Sequence, residues 1–202
     1  EIISKYKILH EEIKVLILNQ KLPGIYSAWN EALIVLLEMV DLDHYICILN
    51  SDDWLVNNYI ELVSEYKGYD FIAGSSNVHY ENKIFERPCR SLKMLPLFMP
   101  IIDPSLAIKA SVFRTIGIYR ESLRVASDHD FIYRAYEMGC KFKILKEVLV
   151  NIKMGGFAIQ NKEIAAKEQL KLAQERCFWP LPELAFLYRI LKVPRLRFFD
   201  FL

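Results

Sequence analysis

The sequence contains little glycine, and its seven glycines in 202 residues form neither a GxxxxGK[ST] nor a GxGxxG loop. Such loops cradle phosphate groups through backbone N–H groups, and a metal-dependent phosphoryl-transfer enzyme would need one. A long apolar run is also missing, since no stretch approaches the roughly 20 residues that a membrane-spanning helix requires. The sequence therefore argues against phosphoryl transfer and against a membrane span.

Cysteine is scarce, and charge of either sign is not in excess. The four cysteines have no CxxC spacing, which disfavours a zinc site or a disulfide framework and favours free thiols in a reducing cytosol. The net charge is +1, so the chain lacks the bulk positive charge of a nucleic-acid-binding groove. We expect no nucleic-acid partner.

The chain is nonetheless well supplied with core-forming residues, because hydrophobic residues make up 53% of it and aromatic residues 13%. Apolar, β-branched runs predict strands over 13–19 and 44–50, and helical spacing predicts helices over 27–40 and 57–68. Residues 69–88 predict two strands around an Asn-rich turn. This alternation predicts an α/β layer architecture with a mixed sheet.

Two adjacent carboxylates, Asp52 and Asp53, directly follow an apolar strand in "ICILNSDDW". In open α/β sheets, ligands bind beyond the carboxyl ends of strands, and carboxylate oxygens at such an end suit Mg²⁺ or Mn²⁺. The alternative is that the pair only caps a helix beginning near Val56. Taken alone, the two interpretations are about equally supported.

A second acidic group lies in "ASDHDFIYRA", near the start of a predicted helix. Asp130 and Arg134 are spaced i,i+4 and predict an ion pair. Asp128 is then left without a sequence-local partner, and it is our candidate for a general base. An N-terminal helix cap with a surface ion pair explains the same residues, and on this segment alone it is the better supported interpretation.

Four segments in fixed order make the pattern more specific: "PGIYSAWNEAL", "YICILNSDDW", "GIYRESLRVASDHDFIYRAYEMGCKFKIL" and "MGGFA". This succession, which covers roughly residues 1–160, resembles the family-two glycosyltransferases with the GT-A fold, especially bacterial enzymes of surface-polysaccharide assembly. The resemblance implies an α/β domain with a mixed, mostly parallel sheet flanked by helices. It also implies an enzyme that transfers a sugar, with inversion, from a nucleoside-diphosphate-sugar to a glycan or lipid-linked acceptor.

The resemblance assigns roles to particular residues. Asp53, helped by Asp52, is expected to hold Mn²⁺ or Mg²⁺ at the donor's diphosphate, and a UDP-sugar is the favoured donor. Asp128 is the expected catalytic base, with Asp130 and Arg134 as a supporting pair. Asp52 is also expected to contact the donor. The other expected donor contacts are Tyr26, Asn30, Gly155 and Gly156, although a plain turn explains the two glycines equally well.

The sequence also departs from the pattern of these relatives. Asn50 stands where many have the first Asp of the metal-binding motif, and Asp103 stands where they often have His. Relatives begin with a strand–helix–strand unit that carries a nucleotide-reading aspartate, so we expect about 30 or more residues to precede this chain. A non-catalytic binding or assembly module with a degenerate GT-A fold is the alternative function.

We expect residues 1–160 to form the transferase domain and residues 161–202 to form a helical tail. Between Phe178 and Leu202, aromatic and leucine side chains alternate with basic residues, namely Arg189, Lys192, Arg195 and Arg197. Such a segment suits an anionic membrane surface, where lipid-linked acceptors reside, and packing back on the domain is the alternative. The expected location is the cytoplasm, peripheral to the inner face of the plasma membrane.

Overall fold

The computed structural model describes residues 15–192. The described range contains seven α-helices. They are α1 (Ile25–Met39), α2 (Tyr59–Ser64), α3 (Ala110–Ile116), α4 (Ser127–Glu137), α5 (Phe157–Gln160), α6 (Lys162–Arg176) and α7 (Leu181–Lys192). No helix of the described range is long and apolar enough to cross a membrane.

The strands of the described range form one sheet of six. They are β1 (Tyr45–Ile46), β2 (Trp54–Leu55), β3 (Phe71–Tyr80), β4 (Lys83–Arg87), β5 (Ala107–Lys109) and β6 (Phe142–Lys153). The order across the sheet is β1-β5-β3-β6-β2, and β4 pairs with β3. The predicted hairpin is confirmed as β3 and β4, with Glu81 in the turn at a φ of 50°.

The sheet is mixed, as expected, but the expectation that it is mostly parallel is wrong for the described residues. Only β3 and β6 run parallel, and the other pairs are antiparallel. The physical reason is connectivity: a hairpin makes β4 antiparallel to β3, whereas β6 reaches its parallel position only after a crossover through α3 and α4. The strand predicted over 13–19 is not seen either, since residues 15–20 have no regular structure and 13–14 lie outside the described range.

The core lies on both faces of the sheet, and alternating residues of β3 divide between them. Phe71 and Ala73 face a large cluster with α1, α3 and α4, whereas Ile72 faces a smaller cluster that includes Leu145 and Leu149. Fully burying an apolar side chain of this size is worth about 1.5–3 kcal/mol. The large cluster thereby holds α4, the helix that carries Asp128, against one face of the sheet.

The long central pairing of β3 and β6 has an irregularity at Gly74. The register shifts between Ala73 and Ser75, and a Cβ atom at Gly74 would lie 2.4 Å from Leu149 Cγ and 2.6 Å from the Glu147 carbonyl oxygen. Glycine is therefore required for the close approach of the strands here. Beyond this point the pairing continues to Lys153, the end of β6.

Candidate active site

Asp128 lies in the first turn of α4, where the structure joins two segments that are far apart in the sequence. The Tyr26 hydroxyl shares its one proton between the Val125 carbonyl oxygen at 2.6 Å and Asp128 Oδ1 at 3.1 Å. The backbone N–H of His129 donates to the same Asp128 oxygen at 2.8 Å. The "PGIY" and "SDHDF" segments are thus brought into direct contact.

Tyr26 holds its position because its ring is packed among other aromatic rings. Its ring stacks on Tyr119 at 5.7 Å between centroids and meets Trp29 edge-on at 5.2 Å. Tyr119 in turn packs against Phe131 of α4 at 5.0 Å. Such aromatic contacts add about 0.5–1.5 kcal/mol each beyond burial, so the hydroxyl that contacts Asp128 is carried on a rigid support.

The environment of Asp128 makes it a better base than an ordinary carboxylate. Burial raises the pKa of Asp128 to about 6, against the hydrogen bonds from His129 and Tyr26, which lower it. The carboxylate of Glu168 raises it further by repulsion. A general base is most effective when its pKa lies near the working pH, so this shift suits proton abstraction near neutrality.

Asp130 is held by a cluster of three arginines. Arg134 Nε donates to it at 2.9 Å, which confirms the predicted i,i+4 pair, and Arg176 Nη2 donates at 2.9 Å. Arg120 lies 3.4 Å away, and the Asp130 side chain is 1% exposed. A carboxylate paired with three cations inside the fold cannot readily act as a base, so of these two acids Asp128 stays the candidate for that role.

One face of α6 fixes the start of α4 from outside. Glu168, Leu172 and Arg176 follow each other at intervals of four residues, so they lie on the same face of the helix. The Glu168 carboxylate accepts from the backbone N–H groups of residues 124, 125 and 126 at 2.7, 2.8 and 3.0 Å. Leu172 is fully buried, and Arg176 reaches Asp130. The helical region after residue 160 is thus packed on the acidic segment.

Asp53 lies in the loop directly before β2 and joins the other two motifs. Its Oδ1 accepts from the backbone N–H of Lys153 at 3.0 Å, and its Oδ2 accepts from Asn50 Nδ2 at 2.8 Å. Desolvation raises the pKa of Asp53, and these two hydrogen bonds oppose the rise. Because Lys153 ends β6, the "LNSDD" segment is brought next to "MGGFA". Asp52 is exposed beside it.

The two glycines predicted near the donor lie just beyond this contact. Gly155 has a φ of 113°, a conformation that favours glycine, whereas Gly156 is the residue before α5 and has an ordinary φ of −61°. No atom lies within 4 Å of a Cβ built on either residue. Both backbones are exposed, so a ligand can approach them, and their donor contact stays a prediction.

Asn30 is engaged within the protein. Its side chain donates to the Tyr119 carbonyl oxygen and to Glu121, both at 2.9 Å, and accepts from the Tyr119 backbone N–H at 3.0 Å. Asn30 is 2% exposed. The amide therefore ties α1 to the segment before α4, and its predicted donor contact remains untested.

Neither acidic pair supplies the N-cap residue of a helix, since Asn58 and Ala126 occupy those positions without a side-chain cap. The helix after Asp52 and Asp53 begins at Tyr59, and Asn58 precedes it without a side-chain cap. Asp128, by contrast, does accept from a first-turn N–H group, that of His129. A capping contact and a role as base are compatible, because the second oxygen of the carboxylate takes no part in the His129 bond.

Asp52 and Asp53 could supply only part of the ligand shell of a divalent cation. Within the described range no cluster of three or more His, Cys, Asp or Glu side chains forms a metal site. Mg²⁺, however, is often bound by one or two carboxylates, with substrate phosphates and water completing its shell. Each Asp53 oxygen accepts one hydrogen bond and keeps a second lone pair. Asp53 and exposed Asp52 suit that mode of binding.

Some residues that build the site carry no clear functional signal in the sequence. Glu168 and Arg176 lie in the segment expected to be a helical tail, and Glu121 belongs to no recognisable motif. The four-residue spacing on α6 is visible in the sequence, but its meaning depends on which helix it contacts. Asp103 departs from the pattern of the resembling family, and the structure places it in the interior with 9% of its surface exposed.

Comparisons with known proteins indicate the fold. No protein-family model matches the sequence, and no curated protein matches it. Among solved structures, the crystal structure of S. aureus TarS 1-349 matches with a TM-score of 0.58 and 13% identity, over 86% of this chain and 51% of that one. The crystal structure of S. aureus TarS matches with a TM-score of 0.56 and 14% identity, over 85% of this chain and 30% of that one.

The chain therefore spans about half or less of the length of these neighbours. At this level of identity the likeness concerns the fold. TarS is a glycosyltransferase, so the described residues have a mixed α/β fold resembling that of a glycosyltransferase structure.

Proposed function

We propose that this chain carries the catalytic base of a glycosyltransferase of bacterial surface-polysaccharide synthesis. The enzyme transfers a sugar from a nucleoside-diphosphate-sugar, with a UDP-sugar favoured, to a hydroxyl of a glycan or lipid-linked acceptor. The likeness of the fold to TarS, a teichoic acid glycosyltransferase, supports the class of reaction. The GT-A type, the donor and the inverting course of the reaction belong to the proposal.

The environment of Asp128 is the observation on which this proposal depends. This residue is a partly buried carboxylate whose pKa is raised to about 6, and Tyr26 orients it from another segment. Its neighbour Asp130 is neutralised by arginines, so the two acids of one motif are placed in opposite environments. Environments that differ in this way separate a base from a structural carboxylate.

In the proposed reaction, Asp128 accepts a proton. The acceptor hydroxyl loses its proton to an Asp128 oxygen as the acceptor oxygen forms a bond to the anomeric carbon. The bond between that carbon and the diphosphate oxygen breaks, and the electron pair leaves with the nucleoside diphosphate. In-line displacement inverts the anomeric centre and needs the base on the acceptor side, apart from the groups that bind the donor.

Asp53 and Asp52 are the proposed donor-side carboxylates. They would hold Mn²⁺ or Mg²⁺, which supplies Lewis-acid stabilisation of the leaving diphosphate. The hydrogen bonds from Asn50 and from the backbone of Lys153 hold the Asp53 carboxylate in place. Gly155, whose backbone is exposed, lies two residues after Lys153. Among the described residues no hydrogen bond or ion pair joins Asp53 to Asp128, which is consistent with separate donor and acceptor roles.

The test is a donor screen with the protein that contains this chain. Nucleoside-diphosphate-sugars are supplied with Mn²⁺ and a lipid-linked or oligosaccharide acceptor, and both the released nucleoside diphosphate and the extended acceptor are measured. We expect release with at least one donor and loss of release with Asp128→Asn. Tight nucleotide binding without release from any donor would instead support the non-catalytic binding module.

A further inference from the structure

A row of four side chains crosses one face of the sheet from β2 to β4. Trp54 of β2 is the register partner of Asn151 of β6, and Asn151 is the partner of Asn77 of β3. Asn77 is in turn the partner of Glu86 of β4. Cross-strand partners project from the same face of a sheet, so these residues form one continuous row, which we call the Trp54 row. Neighbouring strands lie about 4.8 Å apart, so the row is roughly 14 Å long.

Trp54 offers an open aromatic surface at one end of the row. Its indole ring contacts the imidazole of His79, with 4.7 Å between ring centroids, and 46% of the Trp54 surface is still exposed. An aromatic ring has negative charge density on its faces. The C–H groups on one side of a pyranose ring form an apolar surface with slight positive charge, so a sugar ring can stack on an indole that is held and exposed in this way.

The two amides of the row are held by each other and by His79. Asn77 Nδ2 donates to Asn151 Oδ1 at 3.2 Å, and His79 Nε2 lies 3.1 Å from the same oxygen. An amide oxygen only accepts hydrogen bonds, so Nε2 is the nitrogen of His79 that carries the proton here. Asn151 Nδ2 and Asn77 Oδ1 have no hydrogen-bond partner within the described part of the chain. The row therefore presents a fixed donor and a fixed acceptor beside the indole.

This combination of groups matches a chain of sugars. Each sugar hydroxyl both donates and accepts hydrogen bonds, as the free amide groups of Asn151 and Asn77 require. The length of the row exceeds that of a single pyranose ring, which favours an oligosaccharide over the one sugar of a nucleotide-sugar. Glu86 and Lys153 are exposed at the margin and carry opposite charges, so the surface has no net charge with which to attract an anionic chain.

The row also begins next to the proposed donor-side carboxylates. Asp53 directly precedes Trp54, and its carboxylate accepts from the backbone N–H of Lys153, two residues after Asn151. A glycan that lies along the row thus has one end near Asp53.

We propose that the Trp54 row binds a neutral oligosaccharide, with a pyranose ring stacked on the Trp54 indole and with sugar hydroxyls bonded to Asn77 and Asn151. The binding of carbohydrate does not depend on the proposed function. The identification of the bound oligosaccharide as part of the acceptor rests on it.

The binding can be measured with the whole protein in the absence of donor and metal. The probes are trisaccharides of glucose, galactose, mannose and N-acetylglucosamine, and titration calorimetry gives the affinity for each. We expect at least one probe to bind and Trp54→Leu, which keeps apolar bulk but removes the ring, to weaken its binding by at least roughly tenfold. Trp179→Leu is the matched control, because Trp179 is 80% exposed outside the row, and its affinity should equal that of the parent.

A second variant tests the amide without disturbing the bonds inside the row. Asn151→Asp keeps the oxygen that accepts from Asn77 and His79 but replaces the free N–H donors by a carboxylate oxygen. We expect it to fold as the parent does and to bind the same trisaccharide several-fold more weakly. Asn19→Asp adds the same charge at an exposed position outside the sheet and should leave binding unchanged.

Three results would overturn the proposal: no binding of any trisaccharide, parent affinity in Trp54→Leu, or stronger binding of a polyglycerol phosphate than of every trisaccharide. If Trp54→Leu does not fold, Asn151→Asp decides, and parent affinity in that variant overturns the proposal. None of these measurements depends on whether the protein transfers sugar.

The acceptor assignment has its own test, in which transfer is measured over a range of acceptor concentrations. Trp54→Leu should raise KM for the acceptor more than it lowers kcat, and it should leave the affinity for the nucleoside diphosphate close to that of the parent. A loss of donor affinity would instead place Trp54 in the donor site. Trisaccharide binding by a protein that transfers no sugar would support the row while contradicting the proposed function.

Discussion

The two acidic regions of the molecule are built in contrasting ways. Asp128 interacts with groups from distant parts of the chain, namely Tyr26 from α1 and Glu168 from α6. Asp53 sits in a more open loop, bonded to Asn50 three residues before it and to the backbone of Lys153. The first region is part of the core, and the second lies at its margin.

Function and stability are coupled differently in the two regions. Loss of a group that holds the Asp128 segment, such as the Glu168 carboxylate, also disturbs the start of α4, so activity and folding should change together there. A change at Asp53 removes contacts from a partly exposed loop, so binding can be altered with little effect on the fold. Substitutions in the two regions should therefore differ in how far activity and stability change together.

Replacement of Asp128 by Asn should lower sugar transfer by roughly 10² to 10⁴, the usual contribution of a general base. The amide retains an oxygen for the bonds from His129 and Tyr26, so the fold and donor affinity should change little. In the parent enzyme, transfer should increase as the pH rises through about 6, because the base must be ionised. Transfer at the parent rate in this variant would show that Asp128 acts only as a helix cap.

Replacement of Asp53 by Asn should weaken Mn²⁺-dependent binding of a nucleoside diphosphate by at least roughly 10- to 100-fold, the loss seen when even an outer metal partner is removed. The amide oxygen can still accept from Lys153, so the midpoint of thermal unfolding should stay close to that of the parent. Calorimetry with and without Mn²⁺ measures the effect, and Asp41→Asn serves as the exposed control. Unchanged metal-dependent affinity would remove Asp53 from the donor site.

Replacement of Glu168 by Ala should destabilise the protein by about 1.5–3 kcal/mol, as expected when hydrogen bonds to a charged group are lost. Three backbone N–H groups before α4 lose their acceptor, although solvent can satisfy the exposed one at Arg124. Urea unfolding measures the change. Lys167→Ala, on the exposed side of the same helix, should stay within about 0.5 kcal/mol of the parent. Equal stability of the two variants would show that α6 does not support the acidic region.

The smallest expected effect concerns the C-terminal segment. Phe178 and Trp179 are 91% and 80% exposed. Residues 193–202, which include Arg195 and Arg197, lie outside the described range, and so do the side chains of Arg189 and Lys192. If the segment binds anionic membrane, Arg189→Gln should weaken binding to vesicles by about fivefold, since one basic residue contributes about 1 kcal/mol. Co-sedimentation that is equal for parent and variant would favour the packing alternative. Lys167→Gln is the control.

The sequence allowed much of the local structure to be predicted, and some of the site. The hairpin of β3 and β4 and the helices α1 and α4 follow from short-range patterns, and so does the ion pair of Asp130 with Arg134. The prediction that the sheet is mostly parallel was wrong, because strand direction depends on the crossover connections between strands and not on the local sequence pattern. Asp103 could be identified only as an unusual residue, since its burial depends on contacts between elements far apart in the chain.

The order of residue types along the chain is enough to predict that carboxylates follow particular strands and begin particular helices. The charge state of each carboxylate, in contrast, depends on the folded structure. Asp128 and Asp130 are two residues apart, yet Arg176 of α6 pairs with Asp130, while burial and the Glu168 carboxylate raise the pKa of Asp128. The reason is physical: the charge state of a carboxyl group depends on desolvation and on charges within a few ångströms, and folding sets both.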